Sequence, residues 1–171
     1  MSGIGRQFME MTRYSVMEEP PQRRGAKQPP LERPLEGGEL IPLPSHTESG
    51  AGGQRLVDII SGRRSLRSYG ETALTLSELS WLLWCCQGVQ EAGAKHTMRT
   101  VPSAGARHAF ETYVLVNRVE GLKRGLYRYS ALQNALTAVD LSPAIAETLT
   151  AACLGQDMVG ASAVTVFWAA E

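Results

Sequence analysis

The sequence predicts an α+β domain in which two helices are followed by strands mixed with a further helix. Three observations predict it. Apolar residues recur at helical spacing in two segments between Gln54 and Gly88. Three runs of strand-forming residues follow between Phe110 and Val139. A last helical pattern then precedes a final apolar run, Ala163–Trp168. The 171 residues are 43% apolar and 20% charged, which suits one soluble domain with a buried core. Seventeen basic residues balance 17 acidic ones, which argues against a surface built to bind nucleic acid or anionic membrane by charge. No apolar run approaches the roughly 20 residues that span a bilayer. Met1 to Tyr14, interrupted by Arg6, Glu10 and Arg13, lacks the continuous apolar segment of a secretory signal.

Seven of the nine prolines lie between Pro20 and Pro44, among Gly37-Gly38 and, further on, Gly50-Ala51-Gly52-Gly53. Proline removes backbone donors and restricts the residue before it, so no continuous helix or central strand fits there. Residues 1–53 are expected as a Pro/Gly-rich extended arm or a disordered leader, and residues 54–171 as the folded domain. Leu56, Val57, Ile59 and Ile60 then have helical spacing, ending at Ser61-Gly62. Thr75-Leu76-Ser77-Glu78 is a capping-box sequence, with Leu74 and Leu79 placed as a hydrophobic staple. Leu79, Leu82, Leu83 and Cys86 continue that helix on one face as far as Gly88, the expected C-terminal cap, and Trp81 and Trp84 broaden the face into the core.

Phe110 to Val116 reads as a strand from its β-branched and aromatic content. After the turn bracketed by Gly121 and Gly125, Leu126 to Tyr129 is a second strand, with Tyr127 and Tyr129 on one face. Ala135 to Val139 is a third. Ser142 with Pro143 reads as an N-cap and first-turn proline, opening a helix through Ile145, Leu149 and Cys153 to Gly155. Cys85, Cys86 and Cys153 form no disulfide framework, and buried thiols in a reducing cytoplasm are expected. His46, His96 and His108 share no metal-ligand spacing, so no metal is expected. Glu78 is expected to cap its helix rather than move protons.

Two segments bear on chemistry. Ser61 to Gly70 carries Arg63, Arg64 and Arg67 with no acid, directly after a helix end. Arginine forks match phosphate oxygens, and Ser65 adds a neutral donor, although a solvated basic turn has the same composition. Thr100-Val101-Pro102-Ser103-Ala104-Gly105-Ala106 is a run of small side chains that lets a flat ligand or another backbone approach closely, as an ordinary tight loop also would. His108, after this loop, reads as a structural histidine in the first place and as a residue within reach of such a ligand in the second, and Arg99 as either a contact for a phosphate or carboxylate or a solvated loop residue.

In their order, these segments resemble the nitroreductase superfamily. Arg63 to Tyr69 is similar to its opening flavin motif, and Leu76 to Gly88 resembles its second helix. Arg99 to Ala106, followed by Glu111-Thr112-Tyr113-Val114 and then by Gly125-Leu126-Tyr127-Arg128-Tyr129, resembles signatures of the SagB-type dehydrogenase branch, as does the Pro-rich leader. The resemblance implies a nitroreductase-like flavoprotein fold, an antiparallel or mixed sheet flanked by helices, binding FMN at a homodimer interface. By position, Arg63, Arg64, Ser65 and Arg67 would hold the FMN phosphate and ribityl chain. Pro102, Ser103, Ala104 and Gly105 would lie against the isoalloxazine ring. The implied chemistry is hydride transfer through flavin N5: oxidation of peptide azolines in this branch, or reduction of small nitro or quinone compounds in relatives.

The family continues with another strand–helix section beyond the final strand, bearing a Lys-Tyr pair associated with azoline oxidation. Residues 150–171 contain no Lys, Arg or Tyr. The resemblance therefore implies a fold incomplete at its C-terminus, a second copy or partner chain supplying the rest, and unassigned catalytic residues. It leaves as alternatives a catalytically silent interaction or scaffold protein, and a module for a different phosphorylated ligand.

Overall fold

The computed structural model describes residues 3–35 and 37–170. The chain divides into two compact units, Met1–Pro30 and Leu31–Glu171. In the first, Ile4–Met11 forms helix α1. Ile4, Phe8 and Met11 recur at helical spacing, and Arg6 and Glu10 form an exposed pair 3.8 Å apart. Every residue of α1 is exposed.

The second unit is built on a five-stranded sheet, antiparallel throughout. Its strands are β1 (Leu40–Pro42), β4 (Phe110–Val116), β5 (Gly125–Ser130), β6 (Ala135–Asp140) and β7 (Val164–Ala170), in the order β1-β6-β5-β4-β7. A separate hairpin pairs β2 (Val89–Ala92) with β3 (Thr97–Arg99). The helices are α2 (Leu56–Gly62), α3 (Leu76–Gln87), α4 (Ile145–Ala152) and α5 (Met158–Ala161). The α+β class and the sheet with helices match the expectation. β1 fits the proline-rich leader because it is short and lies on an edge, where Pro42 need not donate to a ladder.

α3 organises the core. Thr75 Oγ1 accepts from the Glu78 N–H at 3.2 Å, and Glu78 Oε2 accepts from the Thr75 N–H at 2.8 Å, closing the box read from the sequence. These bonds hold the Glu78 carboxyl below its ordinary pKa. Leu79 and Leu83, fully buried, pack with Val114, Val116, Tyr127, Tyr129 and Leu136. Each buried leucine stabilises the fold by about 1.5–3 kcal/mol. Leu82, expected on the same face, is exposed, because the buried stripe of α3 runs through Leu79, Ser80, Leu83 and Gln87 instead. Gly88 ends the helix with φ −57°, not in a left-handed cap. A Cβ there would lie 2.3 Å from the Trp84 ring, so close approach is what requires glycine.

Trp81 and Trp84 are half-buried rather than core residues. His46, in a 3-10 turn over His46–Ser49, stacks on Trp84 with centroids 4.0 Å apart, and Trp84 stacks on Trp81 at 5.6 Å. The Ser80 hydroxyl donates to the Pro44 carbonyl at 2.6 Å and fixes this strap to α3.

Residues 31–35 are bound to the sheet by a polar clamp. Arg128 lies 3.1 Å from Glu111 and donates to the carbonyls of Pro34 and Arg33. Glu111 also accepts from the Arg33 N–H at 3.1 Å. The Glu32 carboxylate accepts from the Ser130 hydroxyl at 2.6 Å and the Ala131 N–H at 2.8 Å. Burial without partners would be costly for both charges; here each is surrounded by partners.

Two further expectations need correction. α4 begins at Ile145 with Ala144 as N-cap, not at Ser142, because the Ser142 N–H is held by Asp140 Oδ1 at 2.7 Å in the preceding turn. The three cysteines are free but none is buried: Cys85 is exposed, and Cys86 and Cys153 are half-buried.

Candidate functional site

α2 follows an extended, fully exposed stretch and is itself fully exposed. Its helical pattern is legible in the sequence, but the apolar stripe does not face the core. Leu56 is 70% exposed and Ile60 66%. Arg63, Arg64, Ser65 and Arg67 continue from its end along an exposed segment. Arg64 donates to the carbonyls of Ser61 (3.1 Å) and Arg63 (2.8 Å). Among the described residues the side chains of Arg63, Ser65 and Arg67 make no hydrogen bond or ion pair, so their donors are available to an anion. The segment is anchored at its far end, where Arg118 donates to the Gly70 carbonyl at 2.8 Å and Leu74 exchanges backbone bonds with Arg118 and Glu120.

The small-residue loop is held at the other end of α3. The Thr100 N–H donates to the Gly88 carbonyl at 2.9 Å and its hydroxyl to the Trp84 carbonyl at 2.8 Å. The anchors of the two motifs are therefore separated by the length of α3, about 18 Å at 1.5 Å per residue. Pro102, Ala104 and Gly105 are exposed and Ser103 is half-buried. Gly105 (φ 62°), Ala106 (φ 53°) and His108 (φ 46°) all lie in the left-handed region. For the two non-glycine residues that costs about 1–2 kcal/mol each. Strain concentrated in one exposed loop is a mark of a functional segment, and no sequence pattern reveals it beyond Gly105 itself. Ser103 Oγ accepts from the His108 N–H at 2.8 Å and closes the loop, leaving its own hydroxyl hydrogen free to donate outward.

His108 and Arg99, both half-buried, make their hydrogen bonds within the fold. The His108 Nε2 is 3.3 Å from the Thr97 carbonyl oxygen. Burial, and then the neighbouring Arg99 cation, hold its pKa below the ordinary value, partly opposed by the Thr97 bond. Arg99 donates to Thr97 Oγ1 (3.2 Å), Gln87 Oε1 (3.4 Å) and the Leu31 carbonyl (3.5 Å), so it ties α3, β3 and the leader together. Tyr129, in the same polar cluster, has its pKa pushed up to about 12 by burial first and by Glu32 and Cys86, against Arg99.

Tested against FMN, the donors fit in kind: three arginines for a dianionic phosphate, and a loop without bulky side chains for a planar ring. Both groups are largely exposed, and their anchors lie at opposite ends of α3. Among the described residues no group of three or more His, Cys, Asp or Glu could hold a metal ion, and no helix is long and apolar enough to cross a membrane.

Comparison with known proteins follows the same outline. A protein of Methanocaldococcus jannaschii named as a nitroreductase is 34% identical over 117 residues, 68% of this chain and 57% of that protein. The trifolitoxin-processing protein of Rhizobium leguminosarum bv. trifolii is 36% identical over 52 residues, 30% of this chain and 14% of its own. A crystal structure of a protein from Anabaena variabilis named as a nitroreductase superposes with a TM-score of 0.65 at 19% identity, over 99% of this chain and 32% of that one, and so shares the fold. The chain thus spans less than two thirds of the length of each of these proteins. The Nitroreductase family model matches residues 60–171, well over half of the sequence, and the chain belongs to that family.

Proposed function

We propose that this chain is an FMN-dependent oxidoreductase of the SagB-type branch, with the cofactor held between two copies. Family membership supports a flavin-dependent oxidoreductase in general terms. The observation that carries the finer reading is that the exposed arginine segment and the strained loop are anchored at opposite ends of α3, beside an α2 helix whose apolar stripe no part of its own compact unit buries. A second copy laid against α2 would cover that stripe and bring its loop toward the first copy's arginines. Arg63, Arg64 and Arg67 would then grip the phosphate, with charge-assisted bonds stronger than neutral ones. The Ser103 hydroxyl, Ala104 and Gly105 would border the ring, and the His108–Ser103 bond would hold that border in place. FMN bound there supplies hydride transfer through its N5 position. The likeness to a protein named for processing trifolitoxin supports a peptide substrate, and the implied reaction is oxidation of azoline rings to azoles.

The test is the visible absorption of the purified protein titrated with FMN. Uptake of flavin is expected. Arg63→Ala with Arg67→Ala should weaken it by about 1.5–3 kcal/mol for each charge-assisted bond to the phosphate that is removed. A protein that stays colourless after incubation with excess FMN and removal of the free flavin by gel filtration overturns the cofactor and points to an interaction role. Uptake unchanged by the double substitution overturns the arginine assignment.

A further inference from the structure

The segment that carries Arg63, Arg64 and Arg67 has little of its own to hold it in place. Every residue from Ala51 to Thr72 is exposed, and α2 within that stretch buries no side chain. Among the described residues, a single hydrogen bond ties any residue from Gln54 to Ala73 to a part of the chain more than four positions away. It is the bond from Arg118 Nη2 to the Gly70 carbonyl, at 2.8 Å.

Arg118 is itself firmly seated. Its N–H donates to the Ala163 carbonyl at 2.9 Å, and its own carbonyl accepts from the Leu74 N–H at 3.1 Å. Its Nε is buried and makes no hydrogen bond among the described residues, so the stem is enclosed and few rotamers are open to it. Nη2 donates a second time, again at 2.8 Å, to the Ala161 carbonyl at the end of α5. Both hydrogens of one nitrogen in a planar head are thereby used, which fixes an angle as well as a distance between Gly70 and α5.

The reach of the chain says which arginine this clamp governs. Arg67 is three residues from Gly70, and an extended chain spans at most about 3.6 Å per residue, so its Cα lies within about 11 Å of the clamped carbonyl. Arg63, seven residues away, is allowed more than twice that distance.

We propose that Arg118 is the positioning residue of the arginine segment: it holds Arg67 above all in place for the cofactor phosphate, without touching the cofactor. The inference rests on the flavin reading given above. Without the clamp the segment has to be ordered when the phosphate arrives, and that ordering weakens binding. The ring end of the flavin is bordered by the loop held through Thr100 at the other end of α3, so its binding does not pass through Arg118.

Riboflavin, which is FMN without its phosphate, separates the two ends in a fluorescence titration of the full chain. Arg118→Met should weaken FMN roughly tenfold, the scale of ordering one further residue, and riboflavin less than about twofold. Arg67→Ala should cost FMN much less in that background than in the parent, because the two residues act as one unit. The 15N order parameters of the Leu66 to Tyr69 amides should fall in the flavin-free variant, which the loss of a positive charge alone would not produce. Should the methionine variant fail to fold, Arg118→Lys carries the same test, since it keeps the charge and loses the planar fork. A parent that binds FMN no tighter than riboflavin overturns the arginine reading and this role with it. A parent that prefers FMN, with a variant that keeps the preference, overturns the role of Arg118 alone. Weaker FMN with unchanged order parameters does the same, because Arg118 would then act as an attracting charge. Equal losses of FMN and riboflavin would make it a residue of the fold and nothing more.

Discussion

Arg128 and Glu111 fall within the stretch that resembles family signatures, and their side chains serve the leader rather than a ligand. Arg128 is 6% exposed and gives its donors to Glu111 and to two successive carbonyls of residues 33–34. Substituting Arg128→Met leaves the Glu111 carboxylate buried without its cation, and the expected drop in stability is about 3–5 kcal/mol in a denaturant melt. A change under about 1 kcal/mol would mean that the clamp is solvated and optional. Arg99 is a second motif residue with an inward role, and its cation bears on His108. The imidazole is expected to titrate below the ordinary value of about 6.5, and Arg99→Met should raise it, both followed by NMR. With its folded-state pKa depressed, His108 contributes stability that is present above its unfolded pKa. That contribution is lost as the pH falls through the folded one. A titration at or above 6.5 would show the ring to be solvated.

At the level of elements, α2 and α3 have similar apolar content but opposite fates. α3 is capped at its start by Thr75 and Glu78, and two of its leucines are fully buried against the sheet. α2 contributes no buried side chain. If a second copy covers α2, then Ile60→Asp should abolish dimers in sedimentation and reduce flavin uptake, while the unfolding temperature of the monomer stays where it was. A dimer that survives this charge would place the interface elsewhere. The opposite edge of the sheet makes a related point. β7 carries seven uncharged residues with Trp168 exposed, whereas short β1 carries a proline, one of the usual protections of an edge strand.

For the whole molecule, the strands between Phe110 and Ala170 are legible because alternation and β-branching fix them locally, and the capping box at Thr75 fixes the start of α3. The hairpin of β2 and β3 leaves no such trace in the sequence, and α1 leaves only the single short repeat of Ile4, Phe8 and Met11. α1 is eight residues long with Gly5 inside it, and β2 and β3 are four and three residues, too short for a period to declare itself. The arginine run and the small-residue loop stand out by composition, whereas composition does not tell whether Arg99 and His108 meet a ligand or hold the fold.

Sequence alone determined the class of the domain, its principal strands and helices, and the two segments whose residue types suit a phosphate and a flat ring, because these depend on neighbours a few residues away. Only the tertiary structure decided which apolar stripe is buried and which is open, and that Glu111, Arg128 and Arg99 grip the leader. Those outcomes rest on interactions between residues far apart in the chain, 94 positions in the case of Arg128 and Pro34, and no local pattern encodes them.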